Sequence, residues 1–168
     1  EDLDSISKIE SGVMIIDPEP VNIVELSNDI VDNLERKAKD ANINLKVKYT
    51  EDFIVLCDPQ KIEQVLSNLL VNSINYGQDG GKTWVRFYDM GDNILVEVAD
   101  DGIGIKEEDI LRIYERFYRV DKSRSRNAGG SGLGLAIVKH IVEAHGGNLH
   151  VRSTFKEGTT FSFTLKKV

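Results

Sequence analysis

Asp100-Asp101-Gly102-Ile103-Gly104-Ile105 follows directly on Ile94–Ala99, an apolar run that reads as a core strand. The hexapeptide puts a carboxylate at the inner end of that strand, then places a glycine on each side of Ile103. An Asp-Gly turn that caps its own backbone is common, but it does not need the second glycine. A carboxylate at the end of a buried strand needs a donor, and the exocyclic amine of adenine is a good one, with Ile103 and Ile105 as an apolar wall. Thirty residues on, Gly130-Ser131-Gly132-Leu133-Gly134-Leu135 opens an apolar helix. Glycines let backbone N–H groups approach phosphate oxygens, and a helix N-terminus favours negative charge. The two segments read as the two ends of one ATP site. Paired carboxylates for glycosidic acid–base chemistry are a rival reading of Asp100 and Asp101, but nothing else in the chain supports it.

Outward from this strand the pattern alternates. Thr83–Tyr88 and Ile94–Ala99 form a hairpin around Gly91-Asp92-Asn93. Upstream, Asp58-Pro59 reads as an N-cap and first helical position, followed by a helix to about Tyr76 that buries Ile62, Val65, Leu66, Leu69, Leu70 and Ile74. Ile23, Leu26, Ile30, Leu34, Ala38 and Ala41 mark an earlier amphipathic helix. Strands are expected at Val13–Ile16, Ile43–Tyr49 and Phe53–Cys57, with a break at Pro18 and Pro20. A short helix fits Glu107–Ile113, and a final one fits Leu133–His145, ended by Gly146-Gly147. Leu149–Ser153 and Thr160–Leu165 close the chain as a strand pair. This order predicts an α/β two-layer sandwich: a mixed, mainly antiparallel sheet of about five strands, covered on one face by three helices. Residues from about Arg119 to Gly130 lack periodicity and read as a lid.

The chain has 168 residues, enough for one domain with a real core. No apolar run nears the roughly 20 residues that cross a bilayer. Net charge is −7, which argues against nucleic acid as a partner. An anionic ligand needs local positive charge instead, and Arg116, Arg119, Lys122, Arg124 and Arg126 supply it beside a single acid, Asp121. Cys57 is the sole cysteine and cannot form an internal disulfide, which suits a reducing compartment. The three histidines have no metal-binding spacing and read as surface or packing residues.

Asn68, Asn72 and Asn75 share one face of the helix that starts at Pro59, displaced from its apolar stripe. Asparagine is a mediocre helix former, so three in register are either a solvated polar face or a used one. An Asn72 side-chain oxygen suits Mg²⁺, which takes oxygen ligands. The Gly130–Leu135 segment is neither a Rossmann fingerprint nor a Walker loop.

Taken together, these segments resemble the ATP-binding domain of two-component sensor histidine kinases, whose Bergerat fold is shared with gyrase, heat-shock chaperone and mismatch-repair ATPases. The resemblance rests on five motifs in family order. They are an N box, Asn68-Leu69-Leu70-Val71-Asn72-Ser73-Ile74-Asn75-Tyr76; a first glycine box, Asp100-x-Gly102-x-Gly104; an F box, Tyr114-Glu115-Arg116-Phe117-Tyr118-Arg119; a second glycine box, Gly130-x-Gly132-x-Gly134; and a last one, Gly158-Thr159-Thr160-Phe161. Ser7-Lys8-Ile9-Glu10-Ser11-Gly12 is similar to the end of the second helix of the family's dimerisation domain, leaving residues 13–168 as the catalytic domain.

The resemblance implies ATP and Mg²⁺ as cofactors. Asn72 would ligate the metal, Asp100 would bind adenine, and Thr160 would support that carboxylate. The second glycine box, from Gly130 and Ser131 through Gly132, Leu133 and Gly134 to Leu135, would hold phosphates, with Arg119 and Lys122 reaching them from the lid. Asn75, Tyr76, Gly102, Gly104, Ile105 and Phe117 would complete the pocket. Asn68 stands where gyrase-type relatives carry a water-activating glutamate, and asparagine cannot be that base. It would act, with Arg119 and Lys122, in transfer of the γ-phosphoryl group to a histidine. An ATP-hydrolysing clamp and a nucleotide-free scaffold are the alternatives. Two positions depart from the pattern: Asn75 where lysine or arginine is frequent, and Tyr114 where phenylalanine is usual. No histidine sits in a phosphoacceptor motif, so the acceptor domain would be a separate partner. The implied parent is a homodimer, membrane-anchored with this domain in the cytoplasm, that serves a response regulator; the fragment itself would be a monomer.

Overall fold

The computed structural model describes residues 14–115 and 134–168. In chain order the elements are β1 (Glu19–Asn22), α1 (Ile23–Asp40), β2 (Asn44–Lys48), β3 (Ile54–Cys57), α2 (Pro59–Asn75), β4 (Lys82–Asp89), β5 (Asn93–Asp100), the single turn α3 (Glu107–Ile110), α4 (Gly134–Ala144), β6 (His150–Thr154) and β7 (Gly158–Lys167). The helix end expected before residue 13 and the whole basic lid, about Arg119 to Gly130, lie outside the described residues.

The described strands form one mixed sheet in the order β1-β3-β7-β5-β4-β2, with β6 also paired to β7. All seven described strands join this sheet, where a sheet of about five was expected. Only β2 and β4 run parallel; the other pairs are antiparallel. One correction concerns the first strand. Residues 14–18 carry no strand, and the pairing starts at Glu19 and runs through Pro20. Proline lacks an N–H, but β1 has only β3 beside it, and an edge strand tolerates the missing donor.

α1, α2 and α4 cover one face. Ile23, Val24 and Ile30 from α1, Val65, Leu66 and Leu69 from α2, and Ile137, Val138 and Ile141 from α4 meet Val85, Val96, Val98, Phe161 and Phe163 of the sheet in one core. α2 packs between α1 and α4. Its start is set as the sequence suggests: Asp58 is the N-cap, its side chain accepting from the Lys61 N–H, and Pro59 follows. Three asparagines in α2 cost together about 2 kcal/mol of helix propensity. Burying each large apolar side chain of the stripe returns about 1.5–3 kcal/mol, so packing decides and the helix forms. None of the described helices is long and apolar enough to cross a membrane.

Candidate functional site

β5 ends at Asp100, level with the C-terminal turns of α2. The alternation of β5 turns Val96, Val98 and then Asp100 toward the helical layer, so this carboxylate sits half-buried where strand and helix meet. Its Oδ1 accepts the Gly102 N–H at 2.8 Å, and its Oδ2 accepts the Ser73 hydroxyl at 3.1 Å. Burial pushes the Asp100 carboxyl above the ordinary aspartate value, while hydrogen bonds from Gly102, Ser73 and the Thr159 backbone pull against it and Asp101 adds to the rise. A carboxylate has about four lone-pair sites, and these three donors leave room for one more, so the group can still accept from an amine. Asp101 is exposed and accepts the Lys82 N–H at 2.8 Å, the role of a turn residue.

Both glycines after Asp100 answer to local geometry. A Cβ on Gly102 would lie 2.6 Å from the Tyr76 carbonyl oxygen, where the turn crosses the end of α2. Gly104 has φ +71, and a Cβ there would collide with the Thr154 carbonyl. The turn is thus wedged between α2 and β6, and the Ile103 N–H donates to Tyr76 O at 3.2 Å. Ile105 packs against the core and donates its N–H to Ser153 Oγ at 2.7 Å.

The asparagines of α2 are half-buried on one side of the helix. Asn68 Nδ2 reaches Gly134 O at 3.5 Å, a long contact that joins α2 to the described start of α4. Gly134 and Leu135 are half-buried, and α4 carries no acidic side chain in its first turn. Asp100, Gly102 and Tyr76 therefore meet where the β5 turn crosses the end of α2, Asn68 approaches Gly134 at the start of α4, and Gly104 and Ile105 lie against β6. Phe117, Arg119, Lys122, Gly130, Ser131, Gly132 and Leu133 lie outside the described residues.

Thr160 is placed differently from the expectation. It pairs with Ala99 and Arg152, while Thr159 pairs with Asp100. The strand alternation buries Thr159 and Phe161 toward the helices and turns Thr160 to the other face. The residue behind the carboxylate is Thr159. Sequence reasoning also missed Ser73 and Thr83, which are 2% and 1% exposed and whose hydroxyls lie 2.8 Å apart. The signal was available, since Thr83 occupies a core-facing position in the alternation with Val85, and a buried hydroxyl requires a partner.

Two further residues gain roles. His145 donates from Nδ1 to Ile141 O at 2.8 Å and accepts the Asp58 N–H on Nε2 at 3.1 Å, an arrangement that requires the Nδ1-protonated neutral ring. Tyr114 packs against the core, and burial pushes its hydroxyl up to about 12.

A family model described as histidine kinase-, DNA gyrase B- and HSP90-like ATPase matches residues 57–168. The chain belongs to that family. Among curated relatives, the sensor histidine kinase WalK of Bacillus subtilis (strain 168) is 37% identical over 166 residues. That alignment takes in 98% of this chain but 27% of WalK, so the chain spans about a quarter of this relative's length. Among solved structures, the catalytic domain of the histidine kinase ThkA superposes with a TM-score of 0.79 at 29% identity, covering 90% of this chain and 97% of that one. ThkA in complex with the response regulator protein TrrA gives a TM-score of 0.78 at 26% identity, covering 99% of this chain and 47% of that one. The open mixed sheet with helices on one face is thus the fold of histidine kinase catalytic domains, and the family is one of ATPases.

Proposed function

We propose that this chain is the catalytic domain of a sensor histidine kinase, which binds Mg-ATP and donates the γ-phosphoryl group to a histidine on a dimerisation domain. The observation that carries this reading is Asp100, a half-buried carboxylate with acceptor capacity left over, set beside the asparagine face of α2. Asp100 accepts from the adenine amine, and Ile105 with Tyr76 lines the ring. The Asn72 carboxamide oxygen suits a hard cation, and bound Mg²⁺ would supply charge neutralisation among the phosphates. Gly132, Leu133 and Gly134 offer backbone N–H groups to the phosphates, and Arg119 and Lys122 offer cations from the lid. Asn68 orients without abstracting a proton, which favours transfer over hydrolysis. Phosphoryl transfer asks for positioning and charge neutralisation above all, and this set of residues supplies both.

The same reading makes residues 1–12 the end of the dimerisation helix and makes the rest of the kinase a partner. A homodimeric, membrane-anchored parent and a response regulator follow from it. The assay is transfer in trans. Mixed with Mg-ATP and a dimerisation domain that carries its acceptor histidine, the chain should label that domain with an acid-labile phosphate and show little steady hydrolysis on its own. Sustained ATP hydrolysis with no labelled histidine would replace the kinase with a clamp-type ATPase.

A further inference from the structure

Ser73 lies one residue beyond Asn72 on α2, and its Oγ sits between two partners, Thr83 Oγ1 at 2.8 Å and Asp100 Oδ2 at 3.1 Å. A serine hydroxyl has one proton and two lone pairs. An ionised carboxylate can only accept, so the Ser73 proton points to Asp100. Ser73 must then accept from Thr83. The chain has a single polarity, from Thr83 through Ser73 to Asp100. Both hydroxyls are almost fully buried, so water does not substitute for either partner. Thr83 and Asp100 are register partners on β4 and β5, which fixes one end of the chain, and α2 fixes the middle.

We propose that Thr83 and Ser73 are positioning residues that hold Asp100 as an acceptor and thereby select nucleotides whose purine carries an amine at C6. This rests on the reading of Asp100 as the adenine acceptor. With Gly102 on one oxygen and Ser73 on the other, the carboxylate plane is pinned by donors alone. Donors favour the ionised form. That form attracts the C6 amine of adenine and repels the C6 oxygen of hypoxanthine or guanine. The groups that face Asp100 from α2, β4 and β7 are Ser73, Thr83 and Thr159, all uncharged, and the charged group acting on it is Asp101 in its own turn. Loss of the Ser73 hydroxyl leaves the carboxylate with one donor fewer, so it takes up a proton at higher pH and stops discriminating.

The test is calorimetric binding of non-hydrolysable ATP and inosine triphosphate analogues with Mg²⁺, from neutral to mildly acid pH, with melting temperatures in parallel. Ser73→Ala should weaken the ATP analogue about tenfold, move the acid loss of binding to higher pH and narrow the preference for adenine over hypoxanthine. Thr83→Val should shift all three the same way by less, because Ser73 still donates. Asp100→Asn serves as the control. If it loses affinity while Ser73→Ala leaves affinity, pH profile and preference as in the parent chain, the relay is wrong and the Asp100 reading stands. A lower melting point in Ser73→Ala with those three readouts unmoved also overturns the relay. If Asp100→Asn binds as the parent does, the Asp100 reading fails and the relay with it.

Discussion

Asp100 is held at some cost. Its carboxyl titrates above the ordinary aspartate value because burial disfavours the charge. The folded value exceeds the unfolded one, so this group stabilises the fold at acid pH, and that contribution is lost as pH rises through the folded value. The ionised side chain is therefore less favourable to folding than the protonated one, a cost that the hydrogen bonds from Gly102, Ser73 and Thr159 offset in part. Asp100→Asn keeps an acceptor for Gly102 and places its amide against Ser73, so melting at neutral pH should be equal to or above that of the parent chain. The same change removes a charged acceptor, and nucleotide affinity should fall by a factor of about 10 to 100. In the parent chain affinity should fall as pH is lowered through the Asp100 value, starting above the range of an ordinary aspartate. Calorimetry and thermal melting read both effects. A mutant that melts several degrees lower yet binds normally would make Asp100 a structural residue. Asp100, Gly102 and Gly104 were legible in the sequence because a turn at a strand end has a short local grammar. Ser73, Thr83 and Thr159 were not picked out, because their importance depends on which strand and helix lie across from them.

At the scale of elements, α2 is the piece that the site depends on, and Asp58 is its anchor. The Asp58 side chain accepts from Lys61 N at 3.3 Å and from Asp17 N at 3.0 Å. Its backbone N–H donates to His145 at the end of α4. One residue thus ties the segment before β1, the start of α2 and the end of α4 together. Asp58→Ala removes both side-chain bonds but leaves the His145 contact, and should lower stability by about 1–2 kcal/mol, read as a shift in the urea midpoint. An unchanged midpoint would mean that the cap carries no weight here. The cap itself was readable from Asp58-Pro59, and the bounds of α1, α2, β4 and β5 agree with the sequence pattern to within a residue or so. His145 was not, since it was read only as a packing or surface group. The first strand was displaced because Pro18 and Pro20 suggest a break, and only the edge position of β1 makes Pro20 acceptable.

The whole molecule closes through β7. Along one side it pairs with β5; along the other, its first half takes β6 and its last residues take β3. The β3–β7 pairing joins residues more than a hundred positions apart, as in Val55 with Lys167, and no local periodicity encodes it. That is why the two-layer class could be read from the sequence while the strand count fell short. The closure also fixes the site, because it sets Thr159 behind Asp100 and brings the end of β5 level with α2. A structure of the chain bound to Mg²⁺ and a non-hydrolysable ATP analogue tests this arrangement most directly. The expected complex has the adenine amine within hydrogen-bonding distance of Asp100, the metal on Asn72 and the phosphates at the start of α4. A base seated on other residues, or a nucleotide that leaves the space between α2, the β5 turn and α4 untouched, would contradict it.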